Sequence, residues 1–479
     1  MVVLVICSLS LFITYVDATI LNVALPAIER QFHAGIASLQ WVADAYLLVL
    51  ACLLMASGST ADRIGRRKVF STGLVVFSAG SLMCSLAPSI SWLIAFRMLQ
   101  AVGGCMLAPV SLSIVRQVFT DPGERARALG VWSGIFGLGV ACGPIVGGVL
   151  VTAVGWRSVF WVNVPIGLVA SVLTRRFVPE SRAPRPRRVD VPGQLLVAVL
   201  LGCLTLGVIE GPELGWGSTW IVVPFVVAVA SAVALVLVEP RRPEPLLELR
   251  FFRSPPFSVA NGIAVLSYMI LSGFLFVNTL YLQEVRGDSP LVAGVSVLPA
   301  TATIAVSALL SGRLVARFGA RLPFVAGGLC FAAGSALLLD LRPATPYVVL
   351  AASYALLGFG LGLINPPITN TAVTGMPASR AGVASAIAST SRQVGSVLGV
   401  AVMGSMVTGA VAASASRLGS GRRLGRVGAA ALTHATHLPW ELAVACGLLC
   451  AAGAMRWTGR RGLAAAARVY MDEIPVPFS

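Results

Sequence analysis

Charge is scarce in this chain. Only 11% of its 479 residues are Asp, Glu, Lys or Arg, beside 57% hydrophobic residues, whereas a soluble globular chain is about 25% charged and about half apolar. So little polar surface excludes a soluble globular protein. Histidine occurs only as His33, His434 and His437, all in predicted loops or helix ends. The nine cysteines are odd in number and lie inside apolar runs, so no disulfide framework is expected. The ligand spacings of a zinc or iron-sulfur centre are missing as well, and no metal site is expected. No phosphate-binding loop and no His/Asp/Ser constellation is present, which argues against ATP as the direct energy source and against an enzyme. Lysine occurs once, at Lys68, among 35 basic residues, a skew that fits a GC-rich bacterial genome. The net charge of +16 does not point to nucleic acid, because the basic residues form short clusters between long apolar runs.

What is abundant is apolar sequence. A spanning helix needs about 20 apolar residues. Fourteen runs meet the need, at 4–27, 39–59, 69–87, 91–114, 128–151, 158–175, 192–209, 219–238, 257–282, 291–311, 322–339, 346–368, 382–409 and 437–455. The runs at 158–175, 192–209 and 322–339 are the shortest, and a thirteen-span alternative requires 158–175 or 437–455 to fail. The first 28 residues lack a basic n-region and a small-x-small cleavage site, so an uncleaved first helix is expected. Most basic residues then fall on one side, in the clusters Arg63, Arg66, Arg67 and Lys68, Arg175 to Arg188, Arg241 to Arg253, Arg313 to Arg321 and Arg456 to Arg468. The positive-inside rule places that side, and with it both termini, in the cytoplasm. The stretch 410–436 opposes this assignment, with Arg417, Arg422, Arg423 and Arg426 on the other side. Its Ala-, Ser- and Gly-rich composition predicts a flexible loop.

An internal repeat supports the count. GSTADRIGRR at 58–67 matches SGRLVARFGAR at 311–321, with Gly58 on Gly312, Gly65 on Gly319 and Arg63 on Arg317, while Asp62 meets Ala316. The expected fold is all-α and polytopic, two six-helix bundles with two additional central helices. Its divisions are 1–176, a 177–256 segment of linkers and two extra helices, 257–456, and a short tail at 457–479. Duplicated bundles of this kind suggest a transporter that rocks one half against the other around a midplane site.

Charged residues inside apolar spans carry the sharpest signal, since each is costly without a partner or a wet cavity. Asp17 lies roughly 20 Å up the first span and Arg97 about 9 Å down the fourth at 1.5 Å per residue, which gives them similar depth. A carboxylate beside a guanidinium stays ionised, and one whose partner leaves takes up a proton more readily. Asp17 is therefore the expected proton carrier and Arg97 the charge that tunes it. Asp44, near the outer end of the second span, is either interfacial or a second proton site. Glu210, Asp340 and Glu441 are read as snorkelling at span ends. Arg392 is expected either to bind an anionic group or to brace the bundle.

The loop at 58–68, with Gly58, Asp62, Arg63, Gly65, Arg66 and Arg67, is read as a gate in which the glycines permit tight approach and Asp62 accepts from an arginine or caps a helix. GVACGPIVGG at 139–148 offers Pro144 as a kink and Gly139, Gly143, Gly147 and Gly148 as a smooth packing face. Asn22, Gln100, Asn261, Asn278 and Asn365 are polar points that either line a passage or join helices.

These segments together resemble the major facilitator superfamily, and within it the fourteen-helix drug/proton antiporters. DATILNVALP at 17–26 resembles the first-helix motif of that family and GSTADRIGRRK at 58–68 its loop motif, with Thr60 where leucine is usual. RMLQAVGGCMLAP at 97–109, GVACGPIVGG at 139–148 and WVNVPIG at 161–167 resemble the fourth-helix motif, the fifth-helix antiporter motif and the start of helix six. The resemblance covers essentially the whole chain. It implies export of a small amphipathic drug or antibiotic, driven by a proton gradient with no cofactor, across the bacterial cytoplasmic membrane. It further implies that the loop motif steadies the outward-facing state, asymmetrically because Ala316 replaces the aspartate. Membrane lipid is the expected surrounding, and a monomer the expected working unit. The alternative is a proton-coupled transporter of an endogenous metabolite, lipid-like compound or siderophore.

Overall fold

The computed structural model describes residues 1–183, 190–242, 244–374, 378–417 and 429–458. Among them, thirteen helices are long and apolar enough to cross a membrane. In chain order the spans are α1 (Val2–Phe32), α2 (Ile36–Ile64), α3 (Arg66–Ser85), α4 (Ile90–Val118), α5 (Pro122–Ala153), α6 (Ser158–Phe177), α7 (Val191–Leu214) and α8 (Thr219–Val238). They continue with α9 (Pro255–Val285), α10 (Pro290–Phe318), α11 (Arg321–Ala336), α12 (Tyr347–Val373), α13 (Ala378–Arg417) and α14 (His437–Trp457). The fourteenth span is α11. Its 16 residues rise about 24 Å, and turns carry the chain on through Asp340. Close packing marks it as a bundle member: a Cβ on Gly327 would meet the Gly360 carbonyl at 2.8 Å, and one on Gly328 the Gly447 carbonyl at 2.7 Å. The described residues form an all-α, fourteen-helix membrane protein.

Local chemistry sets the helix ends. Asp121 caps α5 by accepting from the Glu124 amide at 2.8 Å, with Pro122 in the first turn, and Asp190 caps α7 through the Gly193 amide at 3.1 Å. The two repeat copies end their helices alike, since Gly65 (φ 131°) closes α2 and Gly319 (φ 77°) closes α10, a region of backbone space that favours glycine. Pro109 lacks an amide proton for the Cys105 carbonyl, and α4 breaks at Met106 and Leu107. Ser57 of α2 supplies the missing donor at 2.7 Å, the side-chain compensation that lets a membrane helix carry proline.

The helices pair twice in the same pattern. α1 packs on α5, α2 on α4, and α3 on α4 and α6; correspondingly α9 packs on α13, α10 on α12, and α11 on α12 and α14. The halves meet along α2 with α13 and α5 with α10. The two extra helices lean on the first seam, where Ala51 and Cys52 of α2, Val197 and Leu201 of α7, Leu235 of α8 and Val397 of α13 form one apolar cluster. The outer face of α8 leaves Trp220, Val226, Val229 and Val236 exposed, as a lipid-facing helix does.

One expectation is corrected. The stretch 410–436 is not a loop throughout, because α13 continues to Arg417 and a short helix spans Ala429–Ala435; the alanines that suggest a loop are strong helix formers. The arginines at 185, 187, 188, 422, 423 and 426, and the tail from 459 with those at 460, 461 and 468, lie outside the described residues. All nine cysteines are free thiols.

Candidate proton and gating sites

Asp17 and Arg97 meet inside the first bundle. Arg97 Nη1 donates to Asp17 Oδ2 at 2.6 Å, and each side chain is 1% exposed. The second carboxylate oxygen accepts from Gln100 Nε2 at 2.8 Å and Asn163 Nδ2 at 2.7 Å. Arg97 is held on its other sides too: Nη1 reaches Gln100 Oε1 at 2.9 Å, Nε the Val42 carbonyl at 3.3 Å, and the guanidinium carbon sits 4.2 Å from the centre of the Tyr46 ring. A buried ion pair is tolerated only when geometry and further hydrogen bonds offset its desolvation, and this one has both. Five helices converge on it, through Asp17 of α1, Val42 and Tyr46 of α2, Arg97 and Gln100 of α4, Asn163 of α6, and Ser81 of α3, which accepts from Asn163 Nδ2 at 3.1 Å.

Asn163 is not among the candidates drawn from sequence, although it lies in the WVNVPIG segment. A polar residue in an apolar run one turn into a span is the signal that points to it. Gln100 belongs to this cage. Asp44 corrects the interfacial reading: it is fully buried, and neither carboxylate oxygen has a hydrogen-bond partner among the described residues. It lies one turn along α2 from Gln40, whose Nε2 donates to the Val400 and Ala401 carbonyls of α13 at 3.1 and 3.0 Å. Glu210, expected to snorkel, is half-buried and accepts from Trp41 Nε1 at 2.7 Å. Asp340 and Glu441 are exposed at their span ends.

The halves seal against each other at the end away from the basic clusters. Besides Gln40, Gln283 Nε2 of α9 donates to the Val23 carbonyl of α1 at 3.0 Å, and a Cβ on Gly148 would lie 2.7 Å from the Pro290 carbonyl. Toward the basic end the facing helices are less covered. Asn365, Thr369 and Asn370 of α12 and Ser389 to Val394 of α13 are partly or fully exposed, whereas Val397, Val400 and Ala401 are buried.

Of the glycines in α5, three face α1. A Cβ on Gly139 would lie 2.9 Å from Tyr15 Cβ, one on Gly143 1.9 Å from Thr19 Oγ1, and one on Gly147 3.0 Å from the Ile20 carbonyl. Gly148 faces α10, and the Pro144 carbonyl lies where a Cβ on Gly294 would go. The motif is one surface of contact with the helix that carries Asp17, turning at its end toward the other half.

At the loop, Arg66 Nε and Nη2 donate to Asp62 Oδ1 at 3.0 and 2.8 Å, and Arg66 Nη1 to Gln117 Oε1 at 2.6 Å. The Arg67 amide donates to Glu180 Oε1 at 3.1 Å, the Arg66 amide to the Ser181 carbonyl at 2.9 Å and the Ala183 amide to the Asp62 carbonyl at 3.0 Å. All these partners lie in the first half or directly after it. Gly65 is required on two grounds, its positive φ and the Glu180 carboxylate 2.6 Å from where a Cβ would be. Two expectations are corrected here: Gly58 faces open space, and Arg63 is exposed, with no hydrogen-bond partner among the described residues. Gln117 and Glu180 are not foreseen from sequence, being remote along the chain.

The remaining polar points divide. Asn22 bonds within its own helix to the Ala18 carbonyl at 3.4 Å, Asn261 accepts from Ser391 Oγ at 2.9 Å, and Asn278 accepts from the Tyr354 hydroxyl; these join or brace helices. Asn365 accepts from the Tyr268 hydroxyl at 3.3 Å, and Arg392 reaches Thr369 and Ser389, both on the partly exposed faces. Among the described residues no group of His, Cys, Asp and Glu could hold a metal ion.

Comparison with known proteins agrees with this architecture. A profile of the Major Facilitator Superfamily matches residues 7–400. The chain is 40% identical over 399 residues to the Multidrug resistance protein Stp of Mycobacterium tuberculosis, covering 83% of this chain and 74% of that protein. It is 38% identical over 396 residues to the Tetracenomycin C resistance and export protein of Streptomyces glaucescens, covering 82% and 73%. Among solved structures, a bacterial homolog of the human lysosomal transporter Spinster, in an inward-facing and occupied conformation, aligns with a TM-score of 0.67 at 19% identity over 99% of this chain and 98% of that one.

Proposed function

The chain belongs to the Major Facilitator Superfamily, and on that premise we propose that it is a proton-driven antiporter exporting small amphipathic drugs or an antibiotic by alternating access. The observation that carries the proposal is the Asp17 and Arg97 pair, a buried charge that can be titrated beside one that cannot. The basic end is read as cytoplasmic, with both termini there, in a bacterial cytoplasmic membrane. The bundles 1–176 and 257–456 are the moving bodies, 177–256 carries the linkers and extra helices, 457–479 is a tail, and one copy suffices.

On this reading the seal at Gln40, Gln283 and Gly148 closes the outer side, and the structure corresponds to the inward-facing state with Asp17 deprotonated. Substrate enters from the cytoplasm and the outer seal opens. Release outside is followed by transfer of a proton to a carboxylate oxygen of Asp17, which neutralises it and loosens Arg97. Arg97 also holds the Val42 carbonyl and the Tyr46 ring of α2, and α2 carries Gln40, so a change at Asp17 reaches the seal through one rigid helix. Return to the inward-facing state restores the pair and delivers the proton to the cytoplasm. Asp44, buried beside the α2 and α13 seam, is a second proton site on the same path.

Addition of an exported compound to energised inverted membrane vesicles should dissipate the pH gradient, read by acridine orange fluorescence. A panel of amphipathic compounds that all leave the gradient intact, while vesicle transport of one of them is demonstrable, contradicts proton antiport. The loop at 58–68 is proposed as the inner gate. In the inward-facing state its ion pairs stay within the first half, and on closure they would meet the second. Asp62→Asn should lower transport about tenfold with unchanged membrane insertion, the size expected from losing the charge assistance of the two bonds that Arg66 donates to Asp62 Oδ1. Ala316→Asp should matter little. A cysteine at position 63 that reacts with an impermeant thiol reagent only from outside intact cells would contradict the orientation and the gate together.

A further inference from the structure

The two arginines placed well inside spans are in opposite situations. Arg97 is neutralised by a carboxylate at 2.6 Å. Arg392, near the middle of α13, has no carboxylate within ion-pair distance among the described residues. It donates to two hydroxyls, Nη1 to Thr369 Oγ1 at 3.3 Å and Nη2 to Ser389 Oγ at 3.0 Å. It is partly exposed, at the depth where the faces of α12 and α13 pass from open to sealed. One turn before Thr369 on α12, Asn365 accepts from the hydroxyl of the buried Tyr268 of α9 at 3.3 Å.

We propose that Arg392 is the recognition point for an anionic substrate, one carrying a carboxylate, sulfonate or ionised phenol. A guanidinium has five donors in a planar fork. Two hydroxyl bonds leave donors that match an oxyanion bidentately. A charge within the membrane span without a counter-charge is the expected state of a site whose counter-charge arrives with the ligand. The buried acids do not compete, since Asp17 is enclosed by Arg97, Gln100 and Asn163, and Asp44 lies fully buried on α2 near the Gln40 seal. The positive field of the uncompensated guanidinium disfavours cations. Binding at this point in a cleft that closes around it places recognition on the path of alternating access, so the inference rests on the antiporter reading for its consequence but not for its test.

The test uses the purified full chain in phosphatidylcholine nanodiscs and three probes: anilinonaphthalenesulfonate, which is anionic, phenylnaphthylamine, its neutral analogue on the same ring skeleton, and ethidium, a cation. Equilibrium dialysis against empty nanodiscs should show the wild-type protein binding the anion about tenfold or more tightly than either other probe, the size of a charge-assisted hydrogen bond. Arg392→Gln should remove that preference while leaving the neutral probe unchanged, which a merely bracing role would not do, and Arg392→Lys should restore part of it. Equal wild-type affinity for the three probes, or a preference that survives Arg392→Gln, overturns the proposal. A lipid phosphate offers the same chemistry, so the measurement is repeated with phosphatidylglycerol in the nanodisc. Loss of all anion binding there identifies a lipid headgroup as the occupant and also overturns it. Failure of the antiporter reading would appear separately, as wild-type protein that binds the anion selectively but moves no probe in response to a pH gradient.

Discussion

Asp17→Asn should abolish concentrative export and leave a folded, inserted protein that still exchanges substrate downhill. Asparagine keeps the size of the side chain but only one acceptor oxygen, which serves either Arg97 or the Gln100 and Asn163 amides, while Arg97 keeps Gln100 Oε1 and the Val42 carbonyl as acceptors. What disappears is the ability to gain and lose a proton. Arg97 then lacks its counter-charge, and breaking a buried pair costs about 3–5 kcal/mol when nothing else compensates. The Val42 carbonyl, Gln100 Oε1 and the Tyr46 ring soften that loss, so a lowered melting temperature is expected and not failure to fold. The double variant Asp17→Asn with Arg97→Gln separates the two effects. It should recover thermal stability, read by a fluorescence melt in detergent, without recovering export. If the double variant regains concentrative export, charge compensation and not proton exchange is what Asp17 supplies.

Gly143→Leu should reduce transport by a hundredfold or more, about 3 kcal/mol of lost function. A Cβ at 143 would lie 1.9 Å from Thr19 Oγ1 and 3.1 Å from the Ile20 amide nitrogen. Thr19 is two residues from Asp17 on α1, so the helices must separate where the proton site is assembled. Overpacking a tight contact costs about 1–3 kcal/mol in stability, too little to explain the full loss by unfolding. An internal control exists in the same helix: a Cβ at Gly134 meets nothing within 4 Å, and Gly134→Ala should be neutral for transport. Initial rates normalised to protein in the membrane decide the matter. A well-inserted Gly143→Leu protein with wild-type rates would reduce the glycine face to ordinary packing.

Depth is legible in the sequence, and rotation is not. A rise of 1.5 Å per residue is enough to put Asp17 and Arg97 at one level, and the structure brings them into contact. Which other side chains face that point depends on how each helix is turned about its axis. In lipid the outward face of a helix is as apolar as the inward one, so periodicity gives no orientation. Asn163, Tyr46 and Val42 therefore join the site only in three dimensions, and Asp44, placed by sequence near a span end, is buried because its face of α2 turns inward. The count of spans is legible even for the short α11, because the apolar run 322–339 runs past the 16-residue helix into the turns that follow it. The loop motif is legible as a glycine-bounded charge cluster, but Glu180 and Gln117 lie over a hundred and about fifty residues from the arginines they hold.

The most direct measurement imposes a pH gradient on proteoliposomes containing purified wild-type or Asp17→Asn protein and follows accumulation of an exported compound. Wild-type protein should concentrate the compound above equilibrium only while the gradient lasts, and the Asp17→Asn protein should bring it to equilibrium and no further. If Asp17→Asn concentrates substrate at the wild-type rate, Asp17 is not the proton carrier, and Asp44 becomes the carboxyl that couples the gradient to export.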